Sequence, residues 1–206
     1  MVEAVLHGVI LAIGLILPLG AQNVFVFNQG ALQPKLARAL PVVITAGICD
    51  TILIVAAVSG VSLLILTFHW LETIMFAVGI LFLLYIGISL WRSAPASMEA
   101  EAERFSPKKQ ILFAASVSLL NPHAIIDTIG VIGSNALSYS GEARFAFTLT
   151  TIIISWCWFF GLAVAGRVLG KMDTSGKFIG MLNKVSAVVV WAVAVYMAVR
   201  LLSKLI

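Results

Sequence analysis

Charge is what this chain has least of: only 11% of its 206 residues are Asp, Glu, Lys or Arg, against roughly 25% in a soluble domain. A water-soluble fold of 22.0 kDa could not hide the 61% that are hydrophobic. Cysteine is scarce as well. Cys49 and Cys157 are the only two, both lie in apolar stretches, and neither has the Cys/His spacing of a metal site or a secreted disulfide framework. They are read as free thiols, and no metal or cofactor is expected. A basic stripe is also missing. The net charge of +4 comes from thirteen Lys and Arg scattered between apolar runs, which argues against a nucleic-acid partner and for topology signals. The first apolar run has no basic leader, opening instead with Glu3 and being followed by further runs, so it is read as a retained helix.

What remains is a series of apolar runs long enough for helices to cross a hydrocarbon core of roughly 30 Å. Six are expected: about Val5 to Phe27, Pro41 to Leu66, Trp70 to Trp91, Gln110 to Gly133, Phe145 to Leu169 and Val185 to Leu205. The chain therefore reads as an all-α integral membrane protein with one transmembrane domain over residues 1–206. Thr67, Phe68 and His69 alone join the second and third spans into a tight antiparallel pair. A polar connector at about 93–109 separates a first repeat, about 1–92, from a second, about 110–206. The loops after spans one, three and five hold ten Lys and Arg and the other side three, which predicts that the basic side is cytoplasmic and both termini lie outside.

The two sets of three spans echo each other. Pro18 is followed five residues on by Asn23 and twenty on by Arg38; Pro122 is followed five on by Asp127 and twenty-two on by Arg144. An odd number of spans per repeat forces the halves into opposite orientations, the inverted-repeat plan of many secondary transporters. Proline removes a backbone donor and displaces a carbonyl, so spans one and four are expected to be broken helices at Pro18-Leu19-Gly20 and Asn121-Pro122-His123. Such breaks offer amide donors and a positive half-helix end to an anion such as an amino-acid carboxylate.

Asp50 stands nine residues into span two, about 14 Å from its start at 1.5 Å per residue. An aspartate near the midplane costs roughly 2.5 to 3.5 kcal/mol to insert, so it needs a partner or a wet cavity. Asp127 raises the same question in span four. Two deep carboxylates among the amides of Gln22, Asn23 and Asn121, with no equally deep lysine or arginine, suit a cation. Burial favours the protonated carboxyl and a bound cation the charged one, so proton and cationic substrate would compete for Asp50 or Asp127, which is sufficient for antiport. His123 could relay protons, or hydrogen-bond the opened backbone beside Pro122. His69, in a turn, and His7, near an interface, are weaker candidates. Trp156 and Trp158 could wall a cavity or pack. Gly166 and Gly170 form a small-xxx-small pair able to join spans within one chain or between two chains of a homodimer. A rival reading pairs Cys49 with Cys157 as a thiol-disulfide electron carrier.

Pro18-Leu19-Gly20-Ala21-Gln22-Asn23-Val24-Phe25-Val26 with Gly30, then Cys49-Asp50-Thr51, then Asn121-Pro122-His123-Ala124-Ile125-Ile126-Asp127-Thr128 resemble, in order and over nearly the whole chain, the motifs of the LysE-type basic amino-acid exporters. The resemblance implies export of L-lysine or L-arginine from the cytoplasm across a bacterial inner membrane, driven by the proton gradient and membrane potential, with no enzymatic step. It also implies that the amide and acidic positions line the path. Ala21 stands where many members carry proline, which predicts a softer break in span one. The wider superfamily includes exporters of neutral amino acids, the nearest alternative.

Overall fold

The computed structural model describes residues 1–17, 20–60, 69–92, 105–119, 125, 128–172 and 177–205. All of their regular structure is helical: α1 (Val2–Ile16), α2 (Ala21–Leu32), a 3-10 turn (Leu36–Ala39), α3 (Leu40–Val58), α4 (His69–Arg92), α5 (Pro107–Leu119), a π-helical turn (Thr128–Gly133), α6 (Ser134–Ala136), α7 (Gly141–Met172) and α8 (Lys177–Leu205). Among the described residues, Leu36–Val58, Gly141–Met172 and Lys184–Ser203 are each long and apolar enough to cross a membrane, and the bent pair α1 and α2 makes a fourth span if counted as one.

Several boundaries differ from the apolar runs. Pro41 opens α3 in its first turn, where a missing N–H costs nothing, but the helix ends at Val58 rather than Leu66. The cause is local: Ser59 and Gly60 form a turn, and Gly60 takes a left-handed φ of 75° that a side chain would resist. His69 is the first residue of α4, not a turn residue. The fifth span runs over 32 residues from Gly141, roughly 48 Å and so longer than the hydrocarbon core. The first span is bent by 81° between Ile16 and Ala21.

The two long helices α3 and α7 carry the shorter segments. α1 and α2 both pack against α7: Gly8 meets Phe147 and Thr150, Gly30 meets Ala163, and Gly166 meets Phe27 and Ala31. α5 and the π-helical turn lie along α3, where Ala114 joins the cluster of Val42, Val43 and Ala46 while Ile132 and Ala136 join Ile54. α3 and α7 cross in opposite directions, and α4 pairs with α8.

Small residues decide how closely these helices approach. A Cβ at Gly30 or Gly166 would collide with backbone of the facing helix, and one at Gly170 would lie 2.5 Å from the Ala31 carbonyl oxygen. The Gly166–Gly170 pair thus joins spans within one chain, seating α2 on α7. At the basic end, Arg167 caps α2 by donating to the carbonyls of Gln33 (2.7 Å) and Pro34. Beside it, the buried Gln110 donates to Arg38 O (2.9 Å) and Phe105 O (3.0 Å), and Gln33 donates to the same Phe105 carbonyl (3.0 Å). Lys35, Arg38 and Arg167 therefore share an end of the bundle.

Candidate functional site

Where α1 stops, carbonyls of its last turn have no helical partner. The buried Asn23, one turn into α2, donates to one of them, Ile16 O, at 2.7 Å. Gly20 supplies the extended N-cap of α2 without a side-chain cap. The neighbouring Gln22 is half-buried and reaches across to α3, its Nε2 donating to Asp50 Oδ1 at 3.4 Å. From α7, Ser155 Oγ donates to Asp50 Oδ2 at 2.6 Å. Asp50 is thus the point at which α2, α3 and α7 meet.

The surrounding wall is built one residue on. Thr51 Oγ1 donates to Gly47 O (2.7 Å) and accepts from Trp156 Nε1 (3.0 Å). The absence of a side chain at Gly47 gives the Trp156 indole its seat, for a Cβ there would lie 2.6 Å from the ring. Trp158 turns instead toward the cluster of Phe25 and Phe159, with a buried indole N–H that lacks a partner.

Gln22, Asn23 and Asp50 are therefore brought together, though in different roles. Asn23 mends the broken backbone, whereas Gln22 and Asp50 face each other. Pro18, Asn121, Pro122, His123 and Asp127 lie outside the described residues, whose neighbours are the end of α5 at Leu119 and the π-helical turn from Thr128. His7 bonds Tyr139 Oη at 2.9 Å, far along α7 from Ser155. Cys49 is buried against Ser118 and Cys157 is exposed; both are free thiols, an arrangement that does not make a redox pair. Ser155 goes unnamed in the sequence reading, and Thr51 enters it only as part of a motif, because a hydroxyl in an apolar helix ordinarily bonds its own backbone. A signal existed nonetheless: the spacing of 104 between Pro18 and Pro122, added to Asp50, lands beside Ser155.

A carboxylate held by two neutral donors, with no cationic side chain paired to it among the described residues, can receive a cation. Among the described residues no three His, Cys, Asp or Glu gather as a metal site needs. Helices long and apolar enough to cross a membrane, one pair of them bent beside a half-buried aspartate, fit a membrane transporter by class. The model of the LysE type translocator family matches residues 13–201. The "Putative amino-acid transporter YisU" of Bacillus subtilis is 54% identical over 97% of this chain and 90% of its own length. The arginine exporter protein ArgO of Escherichia coli K12 is 33% identical over 93% of this chain and 92% of its own; that of Salmonella typhi is 33% identical over 96% and 94%. No solved structure matches. The chain belongs to the LysE type translocator family.

Proposed function

We propose that this protein exports basic amino acids, arginine foremost, from the cytoplasm of a bacterium across its inner membrane by exchange with protons. The observation that carries the reading is Asp50, a carboxylate at the broken first span with Gln22 and Ser155 as its hydrogen-bond partners. The arginine exporters among its relatives support the substrate, and a single fixed negative charge suits the side-chain cation of arginine or lysine. The substrate's carboxylate meets the open amides of α2 and the amide side chains of Gln22, Asn23 and Asn121. Asp127, beside Pro122, serves as a second acid, and His123 as a relay.

The fold is read as two inverted three-helix repeats with breaks at Pro18 and Pro122. Support comes from the exchanged packing, in which α1 and α2 lie on α7 while α5 and the π-helical turn lie on α3. The gathering of Lys35, Arg38 and Arg167 at one end supports placing that end in the cytoplasm and both chain termini outside. Rocking of one half against the other carries the site from one face to the other, and protonation of a carboxylate outside releases the cation.

Efflux of labelled arginine, lysine, threonine and leucine from proteoliposomes under an imposed proton gradient tests this. Cation-selective efflux that Asp50→Asn abolishes is the expected result. Preferential efflux of threonine or leucine would replace the reading with that of a neutral amino-acid exporter.

A further inference from the structure

At the crossing of α3 and α7 two hydrogen bonds join residues at the same spacing. Ser155 donates to Asp50 and Trp156 to Thr51, and each pair is 105 positions apart. Pro18 and Pro122 stand 104 apart. At the crossing of α4 and α8, the Trp191 indole fills the space over Gly87, again 104 positions away. A two-fold axis leaves only its own points unmoved, so a residue can touch its equivalent only where that axis passes. On the inverted-repeat reading proposed above, Asp50 and Ser155 take matching positions of the two halves, facing each other across the axis about which the halves would rock. They are equivalent in place and unequal in chemistry, with an acid on one side and a fully buried hydroxyl on the other.

The two bonds to Asp50 are unequal as well. The 2.6 Å contact from Ser155 is a short charge-assisted bond, while the 3.4 Å contact from Gln22 is at the edge of bonding distance. We infer that Ser155 is a positioning residue of the cation site: its hydroxyl fixes Asp50 Oδ2, leaving the loosely held Oδ1 to receive the substrate's cation, and the carboxylate can serve from either of the two equivalent positions. This rests on the transport reading above.

The test compares arginine efflux by wild type, Ser155→Ala, Asp50→Ser and the exchanged double variant Asp50→Ser/Ser155→Asp, each reconstituted at equal density with its thermal unfolding recorded. Ser155→Ala raises KM about tenfold, the size expected of one charge-assisted hydrogen bond, with a smaller change in kcat. Asp50→Ser loses efflux, and the exchange restores it to at least about ten times that of Asp50→Ser alone, as a carboxylate returned to the axis should. A purely structural serine predicts that adding an acid at position 155 to Asp50→Ser makes matters worse. Wild-type kinetics in Ser155→Ala, or an exchanged variant that melts like wild type and stays as inactive as Asp50→Ser, overturns the inference while leaving transport intact. Absence of arginine efflux in the wild type would instead overturn the transport reading and this inference with it.

Discussion

Two of the helix crossings in this molecule are built from opposite materials. Where α4 meets α8, Leu83 packs with Ala187, Val190 and Ala194, Gly87 makes room for Trp191, and Trp91 stacks at 5.5 Å on the same indole. Where α3 meets α7, the same kind of glycine–tryptophan contact, Gly47 with Trp156, is accompanied by Asp50, Thr51 and Ser155 in hydrogen-bonded contact. An apolar crossing gains packing energy alone and has one low-energy register. A polar crossing must keep its donors and acceptors satisfied, and a bound cation or proton changes how they are satisfied. The first is suited to hold two halves together and the second to let a ligand decide how they sit.

The largest way to sharpen that contrast is Asp50→Asn, which keeps the volume and removes the charge. Efflux of arginine should fall by about two orders of magnitude, as expected for the loss of a buried charge partner, while the melting temperature holds; equal efflux would erase the functional difference between the crossings. The matching insult at the dry crossing is Gly87→Leu, which leaves no place for the Trp191 ring. It should destabilise the fold by about 1–3 kcal/mol in a chemical unfolding titration, with efflux per folded molecule unchanged. Gly47→Ala pushes Trp156 away from Thr51 beside the acid. Initial rates should drop about tenfold through misplacement of the site, whereas a loss of stability without a loss of rate would make this wall a packing feature like that of Gly87. Smallest is Arg167→Gln, away from both crossings, which uncaps Gln33 O and Pro34 O. A cost of about 1 kcal/mol, read from the same unfolding titration, is expected for the lost capping.

Much of the site was legible before any coordinates. An aspartate in a run that must otherwise face lipid announces itself by cost, and so do amides crowded around a proline. That the Asn23 amide also bonds Ile16 O is not legible in the sequence, because which carbonyl a helix break orphans depends on the geometry of the bend. The angle of the break was not legible, since a residue-by-residue reading weighs proline and alanine but not the seating of Gly8 and Gly30 on α7 on either side of the bend. Ser155 carried no local mark at all.

By itself the sequence determined that the chain is helical and lives in a membrane, where it interrupts its first span, and that Asp50 needs a polar partner; each follows from transfer energies and backbone hydrogen bonding that act one segment at a time. Only the tertiary structure decided that Asp50 answers to Ser155 and Gln22, that Gly166 and Gly170 seat α2 rather than a second chain, and that the two cysteines stay apart. Those are choices of partner between helices in a solvent as apolar as the helices themselves, where close packing and hydrogen-bond geometry, which hydropathy does not record, select among neighbours.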